Sequence, residues 1–249
     1  MGDVAVLGGG SFGTALAQLL GRLGHNVLWW MRNAEQARLL QTTRRNSGYF
    51  RDLVLDSHLR CTSSLDEVLQ DSEWCLLAIP SQQVRVVLSA CKNQIKGPLV
   101  LACKGIEQRT LLTMHEVALE VLGESFVSSL LSLSGPSFAK EIIEGHPTAV
   151  VLACADESLA KDLGEWFFCD TFRAYSSTDL VGVELGGALK YVIAIAAGAT
   201  VGLGLGDNSR AALMTRGLAE ITRVAVAKGA HPLTLSGLSG LGDLVLTCT

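Results

Sequence analysis

The sequence predicts a doubly wound α/β domain followed by the start of an all-helical domain. Three observations support this prediction. Apolar runs of strand length alternate with helical patterns, a glycine-rich turn follows the first strand, and strand signals stop after about residue 179. Such alternation indicates a sheet covered by helices on both faces. We therefore expect an α/β domain over residues 1–178 and the beginning of a helical domain over residues 179–249.

The alternation can be followed along the chain. Strand and helix candidates pair as "DVAVLG" with "GTALAQLLGRLG", "NVLWW" with "NAEQARLL", "WCLLAIP" with "QQVRVVLSAC", and "PLVLAC" with "LLTMHEVALEVLG". The segments "SLLSLSGPSFAKEIIEG" and "TAVVLACADESLAKDLGEWF" continue the pattern, which predicts a parallel sheet. Residues 179–204 and 208–229 are predicted as long helices, the second with Asp207 or Asn208 as N-cap and Gly229 as C-cap.

Composition argues against several classes of protein. Of 249 residues, 49% are hydrophobic and 18% are charged, which is typical of a compact globular protein. A net charge of −4 without a basic block gives no electrostatic basis for binding nucleic acid or an anionic membrane. The seven cysteines form no CxxC pair, so we expect reduced thiols in a cytoplasmic protein, with neither a disulfide framework nor a metal site.

The sequence gives no sign of a targeting or membrane segment. The chain enters an apolar strand at once, so we expect no secretory signal. The longest uncharged run, residues 191–206, has sixteen residues with four glycines and is shorter than the roughly 20 residues that span a bilayer. We predict a buried core helix ending in a glycine-rich turn there, and no stable membrane insertion.

The glycine-rich turn has the spacing of a dinucleotide-binding site. In "VAVLGGGSFGTALA", Gly8, Gly10 and Gly13 fit G-x-G-x-x-G between a strand and a helix. The first glycine permits a tight turn, the second lets the backbone approach a pyrophosphate, and the third allows close packing of helix on strand. This context favours a Rossmann-like interpretation over a merely flexible turn.

The end of the second strand bears on the choice of cofactor. NAD-selective sites usually place Asp or Glu there to hold the ribose hydroxyls, whereas this chain has Met31 and Arg32. Arg32 can stack on adenine or meet a 2′-phosphate, so NADP is predicted and NAD stays open. The competing interpretation of Arg32 is a solvated surface arginine.

Three loops that follow strands are further candidates, because ligands of open α/β sheets bind at the carboxyl ends of the strands. These loops are "AIPSQQ", "ACKGIE" and "SGPSFAKE". Lys104 of the second should point into the crevice, while Gly135 and Ser137 of the third are placed to meet an anion or a carbonyl. Each loop is also compatible with an ordinary turn.

One lysine lies in an otherwise apolar helix. In "VELGGALKYVIAIAAG" the charged residues are Lys190 and Glu184. A buried unpaired ammonium is costly, so Lys190 must reach solvent, pair with a carboxylate or have a chemical role. An ideal helix separates Glu184 widely in angle from Lys190. The five histidines show no clustering with other chemical groups, so each is predicted on the surface or in a loop.

Six motifs occur in order from near residue 4 to residue 249: "GGGSFGTALA", "CKGI", "GPSFAKE", "ELGGALK", "GLGLGDNSRAALMTRGLAE" and "GLSGLGDLVLTCT". Together they resemble NAD(P)-dependent glycerol-3-phosphate dehydrogenase of the bacterial type. The resemblance implies a two-domain fold like that of 6-phosphogluconate dehydrogenase, with NADP or NAD as cofactor. It also implies a homodimer that interconverts dihydroxyacetone phosphate and sn-glycerol 3-phosphate for phospholipid synthesis.

The resemblance implies roles for particular residues. Lys190 matches the family's catalytic lysine, which stabilises and protonates the carbonyl oxygen as hydride reaches C2, and Asp243 matches the carboxylate that orients it. Lys104 matches a lysine that contacts the substrate near the cofactor. The remaining matched positions are substrate contacts at Gly135, Ser137 and Thr247, and cofactor contacts at Ser11, Phe12, Arg32, Tyr49 and Ala139.

The chain departs from the family pattern in two places. Tyr191 replaces the asparagine of "ALKN", and the sequence stops at "LVLTCT", before a Ser-Arg-Asn segment whose arginine grips the substrate phosphate. We therefore expect a C-terminally truncated chain that binds cofactor but turns over poorly. A natural short form, a cropped chain and an incomplete gene all fit this expectation.

Three competing interpretations stay open at this point. Lys190 and Asp243 can form a buried structural ion pair without a catalytic role. The chain can be another dehydrogenase of the 6-phosphogluconate or β-hydroxyacid group. It can also be a non-catalytic dinucleotide-binding remnant, although Lys104, Lys190 and Asp243 are all retained.

Overall fold

The computed structural model describes residues 2–46 and 48–249. Within these residues, eight strands form one sheet. They are β1 Asp3–Leu7, β2 Asn26–Trp30, β3 Leu59–Thr62, β4 Trp74–Leu77, β5 Leu99–Leu101, β6 Leu130–Ser134, β7 Thr148–Cys154 and β8 Phe172–Ser177. Their order across the sheet is β3-β2-β1-β4-β5-β6-β7-β8. The first six follow the order of dinucleotide-binding sheets, so the doubly wound, Rossmann-like prediction is confirmed.

The helices cover both faces of the sheet and then continue beyond it. Those of the α/β part are α1 Ser11–Arg22, α2 Ala34–Thr43, α3 Leu65–Leu69, α4 Val84–Cys91, α5 Met114–Leu122, α6 Ala139–Glu144 and α7 Glu157–Glu165. Those that follow are α8 Leu180–Gly202, α9 Gly206–Ala227, α10 Pro232–Leu235 and α11 Asp243–Cys248. The helical segment after residue 179 agrees with the sequence-based prediction.

One strand pair departs from the predicted parallel sheet. Strands β6 and β7 are antiparallel, whereas the other neighbouring strands are parallel. After β6 the chain turns through residues 135–147, which include the short helix α6, and re-enters the sheet from the same end. Because it returns at that end, β7 must run back along β6.

The two edge strands of the sheet, β3 and β8, are not among the strands that the sequence predicts. Strands β3 ("LRCT") and β8 ("FRAYSS") each have one neighbour and carry exposed polar residues such as Arg60 and Arg173. An edge strand faces water on one side and so lacks the continuous apolar run of a central strand.

The core lies in two apolar layers, one on each face of the sheet. In β1, Val4 and Val6 face the layer covered by α1, α2, α6 and α7, while Ala5 and Leu7 face the layer covered by α3, α4 and α5. This alternation follows from the two-residue period of a strand that is buried on both sides. The sheet is therefore covered by apolar packing on both of its faces.

The predicted ends of the second long helix need correction. Helix α9 begins at Gly206, so neither Asp207 nor Asn208 is its N-cap. Asp207 instead lies in the first turn and pairs with Arg210 at 2.9 Å, where its charge suits the positive end of the helix. Gly229 follows the C-cap Lys228 and has a φ of 97°, which is the position where glycine usually ends a helix.

The predicted helix and glycine-rich turn over residues 191–206 are present, since α8 runs to Gly202 and Gly204 follows with a φ of 70°, but α8 is buried mainly in its first half. Val192 and Ile195 are 67% and 75% exposed. By length and composition α8 could also cross a membrane, with a mean hydropathy of 1.7 and 44% of its most apolar window buried. Core helices of soluble proteins pass the same test.

Candidate active site

A cavity of about 760 Å³ opens at the carboxyl ends of β1, β2, β4 and β5 and extends to α8 and α11. It brings together residues from both ends of the chain. The sequence-predicted site residues that line it are Gly8, Gly10, Ser11, Phe12, Arg32, Tyr49, Lys104, Ser137, Ala139, Lys190, Asp243 and Thr247. Gly13 and Gly135 do not line the cavity. Gly13 packs against the Gly8 backbone, and the Gly135 carbonyl oxygen accepts from Lys104 and Ser137.

The glycine turn has the geometry that its spacing predicts. Gly8 has a φ of 132°, and a Cβ there would lie 2.1 Å from the carbonyl oxygen of Ala78. A Cβ on Gly13 would lie 2.2 Å from the Gly8 carbonyl oxygen, so this glycine allows helix α1 to pack on the turn. A Cβ on Gly10 would meet nothing within 4 Å, because this position faces the open cavity. The backbone is thus exposed where a pyrophosphate must approach.

Side chains beneath the turn fix its carbonyl groups. Trp29 Nε1 donates to the Gly8 carbonyl oxygen at 2.8 Å, and Thr14 Oγ1 donates to that of Gly10 at 2.8 Å. The N-cap of α1 is Gly10, with no side-chain cap and no acidic residue in the first turn. The first N–H groups and the positive helix end are therefore available to an anion. These features fit a bound dinucleotide.

Arg32 lies where the sequence places it, at the cavity wall after β2. It is exposed, and its Nη1 is 3.4 Å from Gln83 Oε1. Among the described residues that line the cavity, Asp243 is the only one with a carboxylate, and this carboxylate forms ion pairs with two lysines. The wall beside Arg32 therefore lacks the acidic group that usually holds ribose hydroxyls.

Lys104, Lys190 and Asp243 form one buried cluster, with Asp243 between the lysines. Lys104 Nζ is 2.6 Å from Asp243 Oδ2, and Lys190 Nζ is 2.6 Å from Asp243 Oδ1. Lys190 Nζ also donates to Thr247 Oγ1 at 2.8 Å, and Lys104 Nζ to the carbonyl oxygen of Gly135 at 3.2 Å. The Asp243 side chain is 1% exposed, so its charge is neutralised by the lysines and not by water.

The cluster is arranged to act on a carbonyl oxygen. An ammonium has three N–H donors, and the contacts above use two on each lysine, which leaves one on each for a ligand. The pKa of Lys104 is lowered, chiefly by burial and also by the charge of Lys190, while Asp243 opposes the shift. A lysine with a lowered pKa gives up its proton more readily.

Local structure explains how the cluster is positioned. Lys104 lies three residues after the end of β5, and Lys190 lies on α8. A Cβ built on Gly187 of α8 would lie 3.3 Å from Lys104 Cδ, so the helix passes close to this lysine. Asp243 begins α11 immediately after a π-helical turn, Leu238–Gly242. Such turns occur often at functional sites because they shift the register of the following side chains.

We predict that Gly186→Ala destabilises the fold, whereas Gly198→Ala in the same helix does not. A Cβ on Gly186 would lie 2.5 Å from the Ser239 carbonyl oxygen, so the π-helical turn must move. Overpacking of this kind costs about 1–3 kcal/mol. Gly198 has nothing within 4 Å, and a helical Gly→Ala change there should add up to about 1 kcal/mol. Urea unfolding measures both free energies, and equal changes would contradict the predicted close contact.

His115 contradicts the prediction that every histidine lies on the surface or in a loop, whereas His25 agrees with it because it lies in the loop between α1 and β2. The ring of His25 stacks on Trp166 with centroids 4.3 Å apart. His115 lies at the start of α5, and its Nδ1 is 2.7 Å from Glu184 Oε2. Glu184 thus contacts His115 and not Lys190, in keeping with its angular separation from Lys190 along α8.

Sequence reasoning missed several residues of the cavity wall. Ile79, Pro80 and Gln83 line it, and all three belong to the "AIPSQQ" loop, which the sequence marks as a candidate without marking these residues. Tyr191 also lines it, with its ring centroid 5.1 Å from Lys190 Nζ. The sequence signal for Tyr191 is its place next to Lys190, at a position where the chain departs from the family pattern.

The sheet order, the glycine turn and the paired lysines define an NAD(P)-dependent dehydrogenase with an α/β domain followed by a helical segment. Comparison with known proteins narrows this class. Residues 3–160 match the N-terminal family profile of NAD-dependent glycerol-3-phosphate dehydrogenase, and residues 179–249 match the C-terminal profile. The chain belongs to this family.

Individual relatives agree with this assignment. The chain is 51% identical to glycerol-3-phosphate dehydrogenase [NAD(P)+] of Rhodospirillum rubrum over 99% of its own length and 70% of the relative. It is 49% identical to the Myxococcus xanthus protein of the same name, covering 98% and 74%. The crystal structure of glycerol-3-phosphate dehydrogenase from Coxiella burnetii matches with a TM-score of 0.93 and 37% identity, covering 100% of this chain and 76% of that one.

Proposed function

We propose that this chain interconverts dihydroxyacetone phosphate and sn-glycerol 3-phosphate with NADPH or NADH, supplying glycerol 3-phosphate to phospholipid synthesis. The observation that carries the proposal is the pair of lysines joined through Asp243 in a cavity that begins at the glycine turn. Family membership supports the same reaction.

Lys190 is the proton donor in the direction of reduction. The dinucleotide, when bound, supplies the hydride that reduces C2. The free N–H of Lys190 then stabilises and protonates the oxygen on C2, and the lysine regains a proton from water. Lys104 stabilises the same developing charge with its own free N–H. Asp243 holds the two ammonium groups in place, and Thr247 orients that of Lys190.

The remaining site residues divide between cofactor and substrate. For the cofactor, Gly8, Gly10, Ser11, Phe12 and Ala139 border the first turn of α1 and would hold the pyrophosphate and nicotinamide half, while Arg32 and Tyr49 would hold the adenosine half. For the substrate, Ser137 lies near Lys104, because both donate to the carbonyl oxygen of Gly135, at 3.0 Å and 3.2 Å. Gly13 contributes by packing α1 against the turn.

Steady-state kinetics with dihydroxyacetone phosphate tests this function. We expect slow oxidation of NADPH that depends on the substrate and is saturable. Cofactor binding without turnover would favour the non-catalytic remnant over the proposal. Turnover with 6-phosphogluconate or a β-hydroxyacid in place of the triose phosphate would favour the other dehydrogenase class.

We predict that the chain binds NADPH at least as tightly as NADH and that Arg32→Asp shifts the preference toward NADH. Arg32 offers a guanidinium to a 2′-phosphate, whereas an aspartate there would repel the phosphate and accept from ribose hydroxyls. Quenching of tryptophan fluorescence on titration with each cofactor measures both affinities. Arg38→Asp, on the exposed part of α2 outside the cavity lining, is the matched control. A tenfold preference of the unaltered chain for NADH would contradict the role of Arg32.

Organisation and location are also part of the proposal. A division into domains 1–178 and 179–249 is supported by the profile matches and by Asp179, whose carboxylate caps α8 by accepting from Gly182 N at 2.8 Å. We propose a cytoplasmic homodimer without membrane insertion. Exposed apolar side chains on α8 and α9, such as Ile195 and Val224, offer a surface for association. Light scattering coupled to size exclusion gives the mass that tests the dimer.

A further inference from the structure

A second buried charged cluster lies where the α/β domain meets α8. The Glu184 carboxylate on α8 is 5% exposed and accepts from the His115 backbone N–H at 3.1 Å and from His115 Nδ1 at 2.7 Å. His115 is the second residue of α5, so the carboxylate also lies at the positive end of that helix. A buried carboxylate held by two donors of one residue is a specific and rigid link.

This link is connected to both lysines of the candidate active site. Thr113, the N-cap of α5, pairs with Ile106 in an isolated bridge, and Ile106 is two residues from Lys104. His115 therefore lies at the base of the loop 104–113 that carries Lys104. Glu184 precedes Lys190 on the same helix by six residues, which is about 9 Å of helix.

Helix α8 also passes close to the stem of Lys104 at Gly187. A Cβ built on Gly187 would lie 3.3 Å from Lys104 Cδ. The helix thus passes close to the loop at Gly187 and is hydrogen-bonded at Glu184, one turn earlier, to the start of α5, where the loop ends. Two contacts along one helix fix both the distance and the angle between loop and helix.

Other anchors of the loop lie within the α/β domain. Gln82 Nε2 donates to the Ile106 carbonyl oxygen at 2.8 Å, and Arg85 makes two hydrogen bonds with Glu107 at 2.9 and 2.8 Å. These contacts hold the loop to its own sheet. Glu184 instead links α8, which carries Lys190, to the start of α5, where the loop ends. Both lysines can meet at Asp243 only if the loop and α8 are held together.

We propose that Glu184 and His115 form a positioning pair for the reduction, holding the loop 104–113 against α8 so that Lys104 and Lys190 both reach Asp243. The proposal rests on the proposed function. Neither residue lines the cavity, so the pair acts through the two lysines and not on the substrate.

The pair should also respond to pH. Burial alone would lower the pKa of His115, but the hydrogen bond and charge of Glu184, aided by the charge of Glu116, raise it above its ordinary value. Lys228, after α9, opposes this and lies 3.4 Å from Glu116. Cys103 also faces Glu184, and burial raises the pKa of its thiol to about 12, so it stays neutral.

Because the pKa of His115 is raised, the link to Glu184 is stronger at low pH than at high pH. The charged link contributes fully below about pH 6.5, the ordinary His value, and its charge-assisted part is lost as pH rises through the folded-state pKa. Above that pH a neutral hydrogen bond remains. Above that pH we expect Lys104 to be held less firmly against Asp243.

The test compares His115→Ala with His115→Asn, whose side-chain N–H can replace Nδ1 without titrating. We expect His115→Ala to lower kcat about tenfold or more, as a misplacement near 1 Å can do, with NADPH affinity unchanged within about twofold. His115→Asn should restore most of kcat but should lose the pH-dependent advantage of the unaltered chain below neutral pH. His146→Ala, at an exposed histidine, is the control.

Glu184→Gln gives the same comparison from the other side of the pair, with shape and volume kept. An active enzyme whose kcat stays within twofold in both His115→Ala and Glu184→Gln would overturn the positioning pair while leaving the proposed function intact. Equal kcat and equal pH profiles for His115→Ala and His115→Asn would do the same.

A readout without turnover separates the two proposals. Competitive acetylation by acetic anhydride, measured by mass spectrometry, reports the reactivity of Lys104 relative to exposed Lys161. We expect His115→Ala to raise the relative labelling of Lys104 several-fold, and His115→Asn to restore it. An unaltered chain that fails to reduce dihydroxyacetone phosphate would overturn the proposed function. Unchanged Lys104 labelling in His115→Ala would independently overturn the positioning pair.

Discussion

Replacing Lys190 with alanine is expected to abolish reduction of dihydroxyacetone phosphate while leaving cofactor binding nearly unchanged. Lys190 supplies the N–H that meets the oxygen on C2, and general acid catalysis typically contributes about 10²–10⁴-fold. Loss of the positive charge removes a further stabilising interaction from the transition state. The glycine turn lies on β1 and α1 and should not be disturbed.

The fold should survive this change because Asp243 keeps a partner. In Lys190→Ala the carboxylate remains 2.6 Å from Lys104, so its buried charge is not left unpaired. Steady-state kcat and NADPH titration on one preparation separate the two effects. Lys161→Ala, at an exposed lysine on α7, is the matched control. If Lys190→Ala kept more than about a tenth of kcat, the Lys190–Asp243 pair would have to be reassigned as structural.

The part of this molecule that could be predicted from sequence is the part encoded locally. The glycine turn, β1 and α1 lie within residues 3–22, and their spacing alone indicates the turn and the close packing of Gly13. The direction of β7 is different, because it depends on which end of the sheet the chain re-enters. No periodicity within "TAVVLAC" encodes that choice.

The contacts of the candidate site depend on long-range packing. Lys104 and Asp243 are 139 positions apart, and Lys190 and Asp243 are 53 apart. The resemblance to a family pointed to these residues, but it did not predict that one carboxylate would bridge both lysines. His115 and Glu184 are 69 positions apart, and neither carries a local pattern that marks a partner. Their pairing follows only from the way α8 packs across the start of α5.

Asp243→Asn is expected to produce the second large effect, through both lysines at once. The amide has the shape of the carboxylate but no charge, and only its oxygen can accept from an ammonium. One lysine then faces an N–H₂ group, and the two positive charges repel each other in a buried site. Removing one member of a buried charged network typically costs about 3–5 kcal/mol of stability.

The change should also move the pH dependence of reduction. The charge and hydrogen bond of Asp243 raise the pKa of Lys104 against the lowering effects of burial and of Lys190. Without that charge the pKa of Lys104 falls further, so its protonated form is lost at a lower pH than in the unaltered enzyme. The fall in kcat on the alkaline side should therefore shift to lower pH. No such shift is expected for Lys161→Ala.

A kcat–pH profile and a urea unfolding curve for Asp243→Asn together distinguish a structural role of Asp243 from a role in the reaction. Asp207→Asn is the matched control, because that carboxylate is 91% exposed and pairs with a single arginine at the surface, where such pairs contribute little. A variant with lower stability but an unmoved alkaline limb would make Asp243 a structural group only. A shifted limb with a kcat loss of about tenfold or more would show that Asp243 sets the protonation of Lys104 during the reduction.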